Sequence, residues 1–276
     1  MKKKYIDDRV VLISGASSGI GKELAKKFIF NNNCKIIAIG RSKEKFEAFL
    51  EELKDKKDNL KYYLFDVSIK ENWENLKKDL EKDNIQVDVL INCAGILPKF
   101  KKINAYSSEE IRNIMDINYF SAVYSVEVFY DHLLKSNTPS IINIGSSSAL
   151  ATIVGTGPYS ASKSALKAYT EALIYENKKK MYVSLIMPGF AKSDIFRNQN
   201  IKIENDKLIN FLAMKVSKMG NKIYKAILRK KKRVIIGKDA KLMNFFYKLF
   251  PKLTMSIIER ILRKSKNKVF IDVFND

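Results

Sequence analysis

The stretch VVLISGASSGIGKELA, residues 10–25, decides how this chain is read. VVLISG is an apolar run that suits a buried strand, and from about residue 20 to 31 the apolar positions take up helical spacing. Between them lie Gly15, Gly19 and Gly21, with Ser17, Ser18 and Ile20 completing the turn. Side chains there would hold the backbone away from an anionic group, whereas glycines let a phosphate reach the positive N-terminus of the helix. The spacing is GxxxGxG rather than GxGxxG, so the motif draws its weight from standing between a strand and a helix.

Outward from this unit the same alternation continues. KIIAIG (35–40), KYYLFDV (61–67), VDVLINCAG (87–95), SIINIGS (140–146), YVSLIMPG (182–189) and RVIIG (233–237) read as strands. Helical patterns separate them: one carries Phe46, Phe49, Leu50 and Leu53, and others cover about 73–80, 108–135 and the segment SALKAYTEAL. Strands that are apolar on both faces and alternate with helices predict an α/β fold with a doubly wound parallel sheet. One domain over residues 1–276 is expected, ending in a basic helical extension at about 239–276.

Of the chain's net charge of +21, residues 201–276 contribute 20 Lys/Arg against 6 Asp/Glu. Two readings stand: a solvated lysine-rich face, or contact with an anionic surface, lipid or nucleic acid. The two cysteines, Cys34 and Cys93, lie in apolar surroundings and read as reduced thiols, which fits a cytoplasmic chain. With one histidine, His132, and no Cys/His cluster, no metal site is expected. His132 reads as a helix-terminus or surface residue, and Trp73 as packing a helix on the sheet. No apolar run reaches the roughly 18 residues of a transmembrane helix.

At the end of the second strand, where an acid would bind ribose hydroxyls, stand Arg41 and Ser42. An acid repels a 2′-phosphate and an arginine pairs with it, so NADP(H) is predicted over NAD(H). In PYSASKSALKAY (158–169), Tyr159 and Lys163 sit four apart, on one face of a helix. A phenol titrates near pH 10 and proton transfer at neutrality wants a value near 7. A cation about 4 Å away supplies roughly the needed 4 kcal/mol at an effective dielectric near 20. Lys163 is therefore expected to lower Tyr159, with the small residues between them leaving room for a substrate.

These segments together resemble the short-chain dehydrogenase/reductase family, of single-domain type with a Rossmann fold. SGASSGIG is similar to its TGxxxGIG with Ser14 for Thr, NCAG (92–95) to NNAG with Cys93 for the second Asn, and YSASK to YxxxK. The resemblance implies Asn118, Ser146, Tyr159 and Lys163 as the catalytic set: Asn118 holds a relay water and Ser146 the substrate oxygen. It implies Asp66 and Val67 beside the adenine, and Asn92, Ala94 and Gly95 along the cofactor cleft. Tyr159 and Lys163 are expected to touch the cofactor as well. PGFAKS (188–193) resembles a segment that meets the nicotinamide, assigning Pro188, Gly189 and Ser193 to cofactor binding. The activity implied is NADP(H)-dependent interconversion of a carbonyl and an alcohol, by a homodimer or homotetramer. A scaffold that binds nucleotide without turnover is the alternative, and would not need those four residues together.

The resemblance implies that residues 191–219 close over the substrate, and Phe190, Ile195, Phe196, Phe211, Leu212 and Met214 favour a hydrophobic one. Beyond them, apolar residues at helical spacing beside lysines and arginines leave three readings open. They are packing on this or a partner subunit, peripheral membrane contact, and nucleic acid, the last without a recognisable reading motif.

Overall fold

The computed structural model describes residues 4–192, 213–265 and 270–274. Seven parallel strands form the main sheet: β1 (Val10–Ser14), β2 (Lys35–Gly40), β3 (Leu60–Leu64), β4 (Val89–Asn92), β5 (Ser140–Ile144), β6 (Tyr182–Pro188) and β9 (Arg233–Ile236). Their order is β3-β2-β1-β4-β5-β6-β9, so the winding direction reverses between β1 and β4. A small pair, β7 (Ala191–Lys192) with β8 (Met214–Lys215), lies beyond β6. This is the doubly wound, Rossmann-type sheet that the sequence predicts.

Alternation along each strand builds two cores. Val11 and Ile13 of β1, Ile36 and Ala38 of β2, and Val89 and Ile91 of β4 face one way. Leu12, Ile37, Ile39 and Leu90 face the other. Helices α1 (Gly19–Asn32), α2 (Lys43–Leu53) and α7 (Val216–Leu228) cover the first face; α3 (Lys70–Lys82), α5 (Ser121–Leu134) and α6 (Gly157–Glu176) cover the second. Burial on both faces is why the central strands β1, β4, β5 and β6 lack an alternating polar side, whereas the edge strands β3 and β9 are partly exposed. Trp73 is wholly buried on α3, and its indole donates to the Val67 carbonyl at 2.9 Å.

Two departures from expectation matter. The helix expected at 108–135 is present over 108–134 but contains a π turn: α4 (Ser108–Met115) runs through Asp116–Phe120 directly into α5. His132, in the last turn of α5, is buried rather than on the surface, and its Nε2 accepts from the Val87 amide at 3.0 Å.

The C-terminal part comprises α8 (Lys238–Leu249), α9 (Pro251–Lys264) and a short α10 (Ile271–Phe274). Phe270 and Val273 join Leu97, Phe100, Ile153, Tyr159 and Leu262 in a third apolar cluster. The extension therefore packs in part on its own chain, one of the three readings of the tail.

Candidate active site

Where the strand order reverses, the loops after β1 and β4 part and leave a crevice. A cavity of about 390 Å³ opens there, running from the N-terminus of α1 to Tyr159 and Lys163. At the first end, Gly15 turns the chain with φ +69°, and a Cβ on it would sit 2.8 Å from the Ala94 backbone. A Cβ on Gly21 would lie 2.3 Å from the Gly15 carbonyl, so only glycine lets α1 start this close to the turn. The first intrahelical bond in this turn runs from the Lys22 amide to Ser18. The preceding N–H groups thus have no partner within the helix, Ser18 supplies no side-chain cap, and no acid occupies the first turn. Such an end suits a phosphate.

Ser14 closes the turn from below: its hydroxyl accepts from the Cys93 and Ala94 amides at 3.1 and 3.2 Å, tying β1 to the end of β4. At the tip of β2, Arg41 and Ser42 line the cavity. Ser42 also caps α2, accepting from the Lys45 amide at 3.3 Å and donating to Glu44 at 2.8 Å. Lys45 lines the same wall and was missed from the sequence, although its position four after Arg41 at a helix start is a readable signal. Asp66 and Val67 form the opposite lip. Burial raises the Asp66 carboxyl, but bonds from the Ser68 hydroxyl and amide, with the charge of Arg41, outweigh it and leave the carboxyl lowered.

At the far end, α6 carries Tyr159 and Lys163, both buried and both on the cavity wall with Ser146, Pro188 and Gly189. Ser146 follows β5 and opens a short 3-10 turn, its hydroxyl accepting from the Ser148 amide at 3.1 Å. Burial raises the Tyr159 phenol above its ordinary value, and hydrogen bonding by the Ser146 side chain opposes that rise. Burial also pulls the Lys163 amine down to about 8. Its ammonium donates to the Ile144 carbonyl at 3.3 Å. The expected lowering of Tyr159 by Lys163 is thus corrected: burial dominates and raises the phenol, and Ser146 is the group that favours phenolate.

Three further expectations change. Asn92 does not line the cavity; it lies buried in the sheet, donating to Asn143 at 2.9 Å and accepting from Ser125 at 2.8 Å. Asn143 passes the chain on to Thr170 at 2.9 Å, so strand neighbours β4 and β5 are pinned to α5 and α6. The Asn118 amide is also committed, accepting from the Ile96 amide at 2.8 Å and donating to the Ile96 carbonyl at 3.0 Å and to Ser162 at 3.1 Å. It clamps the loop after β4 and stands behind the cavity wall. The small residues between Tyr159 and Lys163 do not open the site to substrate: Ser162 bonds Asn118 and the Tyr159 carbonyl, and Ser160 pairs with Thr156. They let α6 pack closely on the π turn and the preceding loop.

Gly95 completes the wall beside Ala94, where a Cβ would meet Asn118 at 3.0 Å and the Lys163 ammonium at 3.3 Å. Leu97, Phe100, Ile153 and Phe190 make the Tyr159 end apolar, and Phe270 and Val273 back that wall. Ser193, with Ile195, Phe196, Phe211 and Leu212, lies outside the described residues.

Residues 9–204 match the family model described as short chain dehydrogenase. The chain is 27% identical to the zebrafish (Danio rerio) dehydrogenase/reductase SDR family member 7B over 282 residues, 97% of this chain and 90% of that protein. It is 29% identical to an uncharacterized oxidoreductase of Staphylococcus aureus, over 69% of this chain and 81% of the other. Among solved structures, a short-chain dehydrogenase from Streptomyces avermitilis superposes with a TM-score of 0.76 at 20% identity, covering 95% of this chain and 99% of that one. One from Burkholderia cenocepacia in complex with NADP gives 0.75 at 21% identity, covering 92% and 98%. With its glycine turn, Ser146 and the Tyr159–Lys163 helix gathered on one cavity, the chain belongs to the short chain dehydrogenase family of oxidoreductases.

Proposed function

We propose that this protein is an NADP(H)-dependent oxidoreductase that interconverts a carbonyl and an alcohol on a small hydrophobic substrate, with Tyr159 as general acid and base. The observation that carries the reading is one cavity bounded at one end by the helix N-terminus of α1 and at the other by Ser146, Tyr159 and Lys163. The residues present fit a dinucleotide. Gly15, Gly19 and Gly21 leave room for a pyrophosphate, Arg41 and Lys45 supply two cations for a 2′-phosphate, and Asp66 and Val67 border the adenine. The Burkholderia cenocepacia and ElxO structures, both holding NADP, support that choice by their shared fold.

When bound, the nicotinamide supplies the hydride. The chain's own residues supply the rest. Ser146 holds the substrate oxygen beside Tyr159, whose buried phenol rests in its protonated form and donates as charge grows on that oxygen. Lys163, whose amine burial pulls down to about 8, remains mostly cationic at neutrality and would hydrogen-bond the ribose hydroxyls. Because the Asn118 amide is fully engaged, a proton relay through this residue would use its main-chain carbonyl in the π turn. The apolar wall of Leu97, Phe100, Ile153 and Phe190 favours a hydrophobic carbonyl over a sugar or an acid.

In this reading residues 1–276 form one cytoplasmic domain that assembles as a homodimer or homotetramer through the π turn with α5, and α6, where Phe120, Leu134 and Tyr175 are exposed. Cys34 and Cys93 are free thiols, as a reducing compartment would keep them. Oxidation of NADPH across a panel of ketones and aldehydes, lipid-derived ones included, tests the activity.

A further inference from the structure

Helices α8 and α9 form a hairpin whose outer surface is unlike the rest of the molecule. Eight of the sixteen large hydrophobic side chains exposed among the described residues lie between 242 and 261. Leu242, Phe245 and Leu249 on α8, and Leu253, Ile257 and Ile261 on α9, repeat at helical spacing and are each 49–60% exposed. Few residues are buried within the two helices themselves: Ala240 on α8, and Thr254 and Leu262 on α9. The same helices carry Lys238, Lys241, Lys248, Lys252, Arg260, Arg263 and Lys264 against only Asp239 and Glu259. Both acids are engaged, Asp239 by the Phe190 amide at 3.1 Å and Glu259 by Arg263 at 2.7 Å.

We infer that this hairpin docks the protein on an anionic lipid surface. An interfacial element needs an apolar face that enters the headgroup boundary and cations that meet lipid phosphates, and the hairpin offers both. A second copy of this chain suits the face less well, since a two-fold contact would set its cations against their own images. Nucleic acid would take the lysines and arginines but leave the leucines and isoleucines in water. The hairpin lies on the membrane rather than through it. The 14 residues of α9 extend about 21 Å, short of the roughly 30 Å hydrocarbon core. Among the described residues no helix is long and apolar enough to cross a membrane.

The root of the hairpin places the cavity at this surface. Asp239 opens α8 and holds the Phe190 amide, while Leu262 of α9 joins the apolar cluster that contains Phe100 and Tyr159. Docking would therefore set the apolar end of the cavity beside the lipid.

The test uses the full chain and reads binding without turnover, so its outcome is independent of catalysis. Sucrose-loaded vesicles of phosphatidylcholine with about 30% phosphatidylserine are sedimented with the protein at low and high salt, and compared with pure phosphatidylcholine. Binding to the anionic vesicles should exceed binding to the neutral ones by about tenfold and weaken with salt. A variant carrying L242S, F245S, L249S and L253S should lose about tenfold in partition while keeping its circular dichroism and melting temperature. A second variant, K241E with K248E and K252E, should lose the preference for anionic lipid. No wild-type binding at low salt, or undiminished binding by both variants, overturns the inference. So does light scattering that shows the serine variant turning a dimer into a monomer while vesicle binding stays unchanged.

Discussion

Lys163 directs its ammonium to the carbonyl oxygen of Ile144, 3.3 Å away at the end of β5, in a pocket that excludes water well enough to bring its pKa down to about 8. An amine lowered from 10.5 makes the folded chain bind fewer protons than the unfolded chain between these values, so its contribution to stability rises with pH through that window. Relative to Lys163→Met, the cofactor-free wild type should gain about 3 kcal/mol between pH 8 and 10.5. Urea unfolding of both proteins across the window checks this, and parallel curves would contradict it.

Arg41 and Lys45 share the wall of the cavity at the tip of β2. Arg41→Asp replaces an attractive charge with one that repels a 2′-phosphate. The KM for NADPH should rise by about tenfold or more, with kcat and the KM for NADH little changed. Equal effects on both cofactors would remove Arg41 from phosphate recognition.

Asn118 bonds both backbone groups of Ile96 and the hydroxyl of Ser162 from a fully buried position. Asn118→Leu leaves those groups without partners and should cost about 3 kcal/mol in stability by urea denaturation. Asn118→Asp keeps the acceptor, loses the donors, and should fall between the two.

Gly155 has φ +83°, and a Cβ there would come within 2.5 Å of Val273 and 3.3 Å of Phe100. Gly155→Ala should push α10 off the substrate wall. The KM for an apolar carbonyl then rises several-fold while that for NADPH holds, and limited proteolysis cuts the C-terminus sooner. Unchanged proteolysis and KM would show that α10 does not brace the wall.

Most of the sheet was legible because its signals are local: the central strands β1, β4, β5 and β6 are apolar on both faces, and glycine or proline stands at or just after the ends of β1, β2, β5, β6 and β9. Tyr159 and Lys163, one helical turn apart, are ambiguous by spacing alone and become legible through the glycine turn at 15–21 and Ser146, 13 residues before Tyr159. What the sequence hid depends on partners far along the chain. Asn92 reads as a cleft residue until β5 brings Asn143 beside it. The π turn at 116–120 shifts hydrogen bonds without a change in composition, and it accompanies the commitment of the Asn118 amide to Ile96. The packing of Phe270 and Val273 against Phe100 and Ile153 joins segments more than 100 residues apart, and no periodicity reports it.

In the proposed reaction Tyr159 delivers the proton in carbonyl reduction. The direct measurement is NADPH oxidation with an accepted ketone by wild type and Tyr159→Phe, alongside NADPH binding followed by fluorescence. The phenol lines the cavity wall together with Ser146, so the variant should bind NADPH within about twofold of wild type and lose at least about 100-fold in kcat. A Phe variant that reduces the ketone at near the wild-type rate would contradict the account.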